Sequence, residues 1–150
     1  MRIRRFALAG AVLTLVLMPR VGKSQGAQPD KKKPVVTLGQ SYPNPTNPDA
    51  HITFQVGGYP ACTDNGKQYR VNLKVFNVLA QVVAVPKLTA SSTGVAGGRR
   101  LENTMLPCGD YTAYWDGKYA GTLREAASGV YLWAIEVDGV RAVVRSTIAK

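Results

Sequence analysis

Residues 69–75, Tyr-Arg-Val-Asn-Leu-Lys-Val, are the stretch that decides the fold of this 150-residue chain. Apolar residues stand at every second position of this stretch, and Arg70, Asn72 and Lys74 separate them. Successive side chains of a β-strand point to opposite faces of a sheet. The alternation therefore predicts a strand with one buried face.

Six further segments carry strand signals, and turn residues separate them. We predict these strands at residues 34–38, 52–56, 81–85, 111–115, 130–137 and 140–148. Asp116-Gly117 and Asp138-Gly139 are tight-turn signals. The three prolines of residues 42–48 require an extended, turning backbone. About seven short strands without a convincing helix after residue 26 predict an all-β protein, an antiparallel β-sandwich.

Two long segments between these strands lack strand periodicity. Residues 89–100 are rich in Ser, Thr, Gly and Ala, and this composition predicts a mobile loop. Residues 118–128 predict an irregular connection that ends where Gly129 opens the next strand.

The N-terminal residues have the organisation of an export signal. Three arginines within residues 1–5 precede an unbroken apolar run of 13 residues, Phe6–Met18. A helix that crosses a bilayer needs about 20 apolar residues, so this run is short for an anchor. A basic start, a short apolar centre and small residues before Ala27 predict a secretory signal peptide.

The signal divides the chain into three parts. These are the signal peptide at residues 1–26, a linker at 27–37 and a single sandwich domain at 38–150. The alternative is an uncleaved anchor, in which case residues 6–18 would attach the protein to a membrane. In either case we expect an exported protein, in the periplasm or at the cell surface.

Much of the positive charge belongs to the N-terminal part. Five of the 19 basic residues and none of the nine acidic residues precede Ala27, which leaves 14 against nine and a net charge of +5. Lys31, Lys32 and Lys33 supply three of these charges in the linker, and the others are scattered. Nucleic-acid-binding proteins concentrate basic residues on one face or interleave them with aromatic residues. The sequence therefore predicts no nucleic-acid partner, while a weak attraction to anionic lipid or polysaccharide stays open.

Cys62 and Cys108 are the two cysteines of the chain. An even number of cysteines in an oxidising compartment predicts a disulfide. A zinc site is the alternative, but it needs four ligands, and no histidine lies near either cysteine. We expect the disulfide.

The residue types of a catalytic or metal site are sparse. His51 is the single histidine and stands beside Asp49 at the start of a predicted strand, where we expect it at the surface. Asp110, Asp116 and Asp138 lie in separate segments, whereas a calcium loop concentrates its oxygen ligands. No serine stands in a nucleophile elbow, and no glycine-rich phosphate loop precedes a helix. The sequence predicts a protein that is not an enzyme and needs no cofactor or metal.

Three aromatic residues are candidates for packing or binding. Trp115 is expected to fill the core of the sandwich. Tyr131 and Trp133 alternate with Val130 and Leu132, so both faces of this strand are apolar. One face would pack on the core, and the other, if exposed, would contact a partner. Tyr131 and Trp133 are therefore the candidate partner surface.

Four segments of the chain resemble, in the same order, the motifs of one bacterial domain family. They are LGQSYPNPTNP at residues 38–48, VFNVLAQVV at 75–83, YWDG at 114–117 and ASGVYLW at 127–133. They resemble the motifs L-x-Q-N-Y-P-N-P-F-N-P, V-Y-D-V-L-G-R-E-V, W-D-G and A-S-G-V-Y-F-Y. These motifs belong to the flagellar hook-cap-type (FlgD-like) immunoglobulin-like domains and the related type IX secretion sorting domains.

The resemblance extends from residue 38 to the C-terminus and implies an immunoglobulin-like β-sandwich. The chain departs from the family pattern at two positions, since Thr46 replaces a phenylalanine and Ala80 replaces a glycine. The cysteine pair is also not part of that pattern.

Two functions follow as expectations. The first is a non-catalytic interaction or structural module, a periplasmic or cell-surface subunit of an envelope-associated complex with a protein partner. The alternative, which the resemblance implies, is a secretion-sorting or surface-anchoring domain of the type IX kind. Because the sequence places only a signal and a short linker before the module, with no cargo to sort, we expect the first.

Overall fold

The computed structural model describes residues 35–64 and 66–150, which form nine β-strands and no helix. The strands are β1 (Val36–Tyr42), β2 (Ala50–Val56), β3 (Gln68–Phe76), β4 (Val82–Ala84), β5 (Lys87–Ser91), β6 (Thr104–Pro107), β7 (Gly109–Trp115), β8 (Gly129–Val137) and β9 (Val140–Ile148). No helix long and apolar enough to cross a membrane occurs within these ranges. The signal peptide or anchor predicted at residues 1–26 lies outside them, as does most of the linker.

The strands pair into two antiparallel sheets. The four-stranded sheet has the order β1-β2-β7-β5, and the other has the order β4-β3-β8-β9. Strand β6 joins the second sheet as its fifth strand, because it pairs with β3 on the same edge as β4. The prediction of an all-β antiparallel sandwich is confirmed.

Alternating burial along the strands places the core between the two sheets. In β2, the side chains of Ala50, Ile52, Phe54 and Val56 are buried, and the residues between them are only partly buried. Strands β3 and β7 show the same alternation. The alternation at residues 69–75 therefore arises as predicted, because one face of β3 packs against the opposite sheet.

Two of the nine strands were not predicted. Strand β5 lies partly in the stretch expected to be a mobile loop, and it pairs with β7. Its Leu88 side chain is buried in the core, and the Thr89 hydroxyl donates a hydrogen bond to the carbonyl of Thr112 (3.1 Å). Strand β6 is short, and Leu106 is buried on its inner side. Each of these strands has too few apolar residues for a period to be visible in the sequence.

The first strand is longer than predicted. Strand β1 includes Val36 and Thr37, which were assigned to the linker, and continues to Tyr42. Val36 is buried, and its packing against the core explains why the strand begins before residue 38. A break in register between Leu38 and Ser41 marks an irregularity within the strand, which then leads into the proline-rich segment.

The predicted disulfide between Cys62 and Cys108 is confirmed. It joins the connection after β2 to the residue that precedes β7, and its Cα atoms are 5.6 Å apart. The bond spans 46 residues of sequence, and in the chain-entropy treatment closing a loop of that length contributes about 4 kcal/mol. A disulfide of this kind indicates an oxidising environment outside the cytoplasm.

An aromatic cluster joins the two sheets across the core. The ring of Trp115 in β7 lies 5.4 Å from Tyr131 and 6.0 Å from Trp133, both in β8. The polar group of each ring is hydrogen-bonded: the Trp115 indole N–H donates to the carbonyl of Lys118 (2.9 Å), and the Tyr131 hydroxyl donates to that of Ala127 (2.9 Å). Trp115 therefore occupies the core position predicted for it.

The prediction of a partner surface at Tyr131 and Trp133 is wrong. Their exposed fractions are 4% and 0%, because both side chains point inward from β8. The outward side chains of that strand are instead those of Val130, Leu132, Ala134 and Glu136. The prediction that both faces of this strand are apolar was correct, but the two aromatic side chains were expected on the outer face and lie on the inner one.

We expect the Trp133 indole and the Ser146 hydroxyl to stabilise the fold as a pair, because the indole N–H donates a hydrogen bond of 3.0 Å to Ser146 Oγ inside the core. S146A leaves the buried N–H without a partner and should lower the free energy of unfolding by about 1–3 kcal/mol. W133F leaves the hydroxyl unpaired and removes ring volume, so its loss should be larger. The double variant W133F/S146A should lose about 1 kcal/mol less than the two single losses together, as measured by urea unfolding. Strict additivity would contradict this coupling.

Candidate binding surfaces

The outer side of the five-stranded sheet, here called the five-stranded face, combines apolar and basic side chains. Its members are Arg70, Asn72, Lys74 and Phe76 of β3, Val82 of β4, Met105 of β6, Leu132, Ala134 and Glu136 of β8, and Arg141, Val143 and Arg145 of β9. The pairing register places them in rows across the sheet, with Phe76 opposite Leu132 and Leu132 opposite Arg145. Side chains in such rows are near enough to form one continuous surface.

A shallow recess of about 610 Å³ lies on the five-stranded face. Its lining includes the apolar side chains of Phe76, Leu132 and Ala134. Charged side chains also line it, including Lys74, whose amino group lies 3.7 Å from a carboxylate oxygen of Glu102. Apolar and charged side chains therefore line the recess together, as they do in many protein–protein interfaces.

The turn between β3 and β4 presents two apolar side chains to solvent. Val78 is 71% exposed and Leu79 is 73% exposed. The Asn77 side chain holds the turn, because its Oδ1 accepts hydrogen bonds from the backbone N–H groups of Leu79 and Gln81, each at 3.0 Å. Its Nδ2 also donates to the side-chain oxygen of Gln81 (2.8 Å). The exposed residues thus stand on a turn with a defined conformation.

The exposed apolar residues are concentrated on this side of the molecule. Eight large apolar side chains are exposed in the described part of the chain, and five of them belong to the five-stranded face or to its turn. These five are Val78, Leu79, Val82, Met105 and Val143. Val78, Leu79 and Val82 lie together where β3 ends and β4 begins, whereas Met105 pairs with Arg70 about 20 Å away along β3. Single exposed apolar residues are ordinary, but a group such as the first three indicates an interaction surface.

The opposite side of the sandwich carries an aromatic row. Tyr42, His51 and Tyr114 lie on β1, β2 and β7 and pair in register across the three strands. The rings of Tyr42 and His51 are stacked with centroids 5.5 Å apart, and those of His51 and Tyr114 are 5.0 Å apart. Lys87 of β5 pairs with Tyr114 and continues the row to the fourth strand. His51, expected at the surface, is half-buried between two tyrosines.

A second cavity, of about 350 Å³, adjoins the aromatic row and is here called the basic pocket. Its charged lining residues are Lys87, Arg100, Lys118 and Asp116, and the rings of Tyr114 and Tyr119 also line it. Burial, together with the negative charges of Asp49 and Asp116, raises the pKa of the Tyr114 hydroxyl, so this ring is neutral at physiological pH. The pocket therefore offers three cations, one carboxylate and two tyrosine rings.

The aspartates considered as calcium ligands have other contacts. Asp116 caps a turn, as predicted, by accepting a hydrogen bond from the backbone N–H of Lys118 (3.1 Å). Asp138 accepts one from the backbone N–H of Arg70 (2.9 Å), and Asp110 lies within β7. Residues 35–64 and 66–150 contain no group of three or more acidic, histidine or cysteine residues placed to hold a metal ion.

Sequence reasoning missed both surfaces. The aromatic row depends on the pairing register of β1, β2 and β7, and no local pattern gives a register between strands distant in sequence. The basic pocket takes Lys87 from an unpredicted strand and Arg100 from the predicted loop. One signal was present for the other surface, because Val78 and Leu79 stand between the strands predicted at residues 69–75 and 81–85, where a short connection usually carries polar side chains.

Comparison with known proteins found no matching family model, no matching curated protein and no matching solved structure. The resemblance to the hook-cap-type and sorting domains accordingly stays a prediction from the four motifs.

We expect A80G to stabilise the exposed turn. Ala80 has a φ of 59°, a left-handed conformation that costs a residue with a Cβ atom about 1–2 kcal/mol relative to glycine. Part of this gain is offset by the greater entropy of glycine in the unfolded chain, so the free energy of unfolding should rise by about 0.5–1 kcal/mol. Thermal and urea unfolding would measure the change.

A120G is the matched control, because Ala120 is also exposed but is not among the residues with positive φ. It should lower the free energy of unfolding by about 0.5–1 kcal/mol. If both variants change stability in the same direction, the left-handed conformation at Ala80 is not the source of the effect.

Proposed function

We propose that this protein is an exported, non-catalytic interaction module, a subunit of an envelope-associated complex that binds a protein partner through the five-stranded face and its turn. The observation that carries the proposal is the concentration of exposed apolar side chains on that face, with Val78 and Leu79 held out on an ordered turn. Burial of such side chains by a partner contributes about 25 cal/mol for each Å² removed from water.

The ordered turn favours binding for a further reason. A loop that must be fixed on binding loses conformational entropy, and this loss reduces affinity. The hydrogen bonds of Asn77 fix the turn before any partner arrives. Val78 and Leu79 would then act as anchors that enter apolar pockets of the partner.

The charges of the five-stranded face indicate what surrounds those pockets. Arg141 and Arg145 are exposed on β9, and the Arg141 guanidinium lies 5.8 Å from the ring of Phe76. In the described residues, neither arginine has a carboxylate within 4.0 Å. A partner with acidic side chains around its apolar pockets would complement this face, and such charges act mainly on the association rate and on specificity.

Export is supported by the predicted signal at residues 1–26 and by the disulfide, which persists in oxidising compartments.

We expect the protein purified from cells to have the mass of a chain that begins at Ala27, with Cys62 bonded to Cys108, and to fractionate with the soluble periplasmic or released proteins. Intact mass spectrometry of each fraction measures this directly. A full-length mass in the membrane fraction would instead make residues 6–18 an anchor, and a reduced full-length protein in the cytoplasm would contradict export.

The partner surface is tested by the double variant V78S/L79S. Both side chains are largely exposed, so the variant should fold with the stability of the natural protein and should lose the partner that the natural protein retains from envelope extracts. We expect at least a tenfold loss of affinity, once the retained protein is identified and titrated in purified form.

L123S is the matched control for this experiment. Leu123 is 89% exposed but lies beside the basic pocket, away from the five-stranded face. The substitution removes a similar apolar side chain and should leave partner affinity unchanged. Equal loss in V78S/L79S and L123S would indicate non-specific adhesion, and unchanged binding by V78S/L79S would exclude the turn as the anchor.

A further inference from the structure

We propose that the basic pocket and the aromatic row together bind an acidic polysaccharide, with a sugar carboxylate held by Lys87, Arg100 and Lys118. The basic pocket lies at one edge of the sandwich, where Lys87 and Tyr114 of the four-stranded sheet meet Ala84 at the end of β4. The aromatic row continues from it across the outer side of the four-stranded sheet, and neither Val78 nor Leu79 lines the pocket. The pocket is therefore a second binding site, and its test does not depend on the proposed function.

The charges of the pocket favour an anion. Three cationic side chains and one carboxylate, that of Asp116, line it, and Asp116 already accepts a hydrogen bond from the backbone N–H of Lys118. Together with burial, Asp49 helps to raise the pKa of Tyr114, but it does not line the pocket. Within the described ranges none of the three cationic groups lies within 4.0 Å of a carboxylate, whereas Lys74 on the other face is paired with Glu102.

Lys118 faces Glu125 across an isolated β-bridge, where the hydrogen bond and charge of Lys150 and, to a smaller extent, the charge of Lys118 lower the pKa of that carboxyl. Lys87 and Arg100 are neighbours across another such bridge, so these two cations repel each other, and a bound anion removes that repulsion.

The surroundings of the pocket favour a sugar as the carrier of that anion. The ring of Tyr114 lines the cavity, and an aromatic ring attracts the weakly positive C–H groups of another ring system. The ring of Tyr119 also lines it, with the Arg124 guanidinium 5.4 Å from its centroid. Thr53, Gln55 and Thr112 are half-buried on the same side of the sheet as Tyr114, where their hydroxyl and amide groups can exchange hydrogen bonds with sugar hydroxyls. Asp110 lies on this side of the sheet as well, paired with Gln55, so the cations of the basic pocket are the place for a sugar carboxylate and the sheet is the place for neutral sugar hydroxyls.

A lipid surface is a poorer match for the same cations. Proteins that lie on a bilayer insert several apolar side chains below the headgroups. Leu123 is the single strongly exposed aliphatic residue among those lining the pocket. The exposed apolar residues of this protein are concentrated on the opposite sheet instead.

The dimensions favour a chain of several sugars. A cavity of about 350 Å³ lies at the lower end of the range for small-molecule sites and suits one sugar ring. The row from Tyr42 through His51 and Tyr114 to Lys87 crosses four strands. Neighbouring strands are roughly 4.8 Å apart, so the row extends for about 14 Å and can contact further sugars of the same polymer.

The proposal is tested by calorimetric titration of the purified protein with uronic-acid oligomers, namely oligogalacturonate, oligoguluronate and hyaluronan fragments. At least one should bind, and its affinity should fall when the salt concentration is raised, because salt screens the contacts of exposed cations. The methyl-esterified form of the same oligomer has the same sugar rings without the negative charge, and it should bind at least tenfold more weakly. Absence of binding by all the acidic oligomers, or equal binding of the ester, would overturn the proposal.

Two double variants locate the site. Lys87 and Arg100 are exposed, so K87A/R100A should fold normally and lose at least tenfold in affinity. R141A/R145A removes the same charge from the five-stranded face and should keep its affinity within twofold. Equal losses in the two variants would show that net charge alone attracts the polymer and would overturn the proposed site.

Two further measurements test the contribution of the Tyr114 ring and the alternative that the pocket binds a lipid headgroup. Y114F keeps the ring and should bind like the natural protein, whereas Y114A should bind at least fivefold more weakly, with its folding checked by thermal unfolding. Vesicles of phosphatidylglycerol should bind weakly, and K87A/R100A should change that binding no more than R141A/R145A does. If vesicles bind more tightly than every acidic oligomer and only K87A/R100A abolishes their binding, the pocket is a lipid-headgroup site and the proposal is wrong. K87A/R100A and Y114A change no residue of the five-stranded face or of its turn, so loss of the glycan in these variants is distinguished from loss of the protein partner.

Discussion

The packing of Trp115 against Tyr131 and Trp133 is the contact on which the two sheets of this protein depend. It joins the centre of one sheet to the centre of the other, because β7 lies between β2 and β5, and β8 lies between β3 and β9. Each ring is also fixed by a hydrogen bond to the backbone or to the buried hydroxyl of Ser146. Rings held in both ways leave little freedom for the sheets to slide over each other.

The sequence was most informative where alternation is strong. The pattern of residues 69–75 predicted β3 closely, and Asp138-Gly139 predicted the hairpin between β8 and β9, which pair over their full length. It failed for β5, which is held by the burial of Leu88 and by pairing with β7, a strand that is distant in sequence. Such a strand is stabilised by its neighbours rather than by its own residues, and local patterns do not record that.

Prediction of the binding surfaces failed for a related reason. Tyr131 and Trp133 were correctly singled out as unusual, but a run that is apolar on both faces does not say which face is turned inward. The orientation of β8 depends on the opposite sheet, where Trp115 packs against both rings. By contrast, the disulfide was predictable from composition, because only two cysteines exist and both lie in a segment expected to leave the cytoplasm.

Strand β7 places Trp115 in the core and its neighbour Tyr114 on the outside, so the same strand that unites the two sheets also supports the aromatic row. On the other sheet, β8 likewise turns Trp133 inward and Leu132 outward. A force that pulls a ligand away from either sheet would therefore be transmitted through adjacent residues to the aromatic rings at the centre of the protein. Between two ligands on opposite faces, this small domain would act as a stiff mechanical link, with its disulfide limiting how far the chain could extend under load.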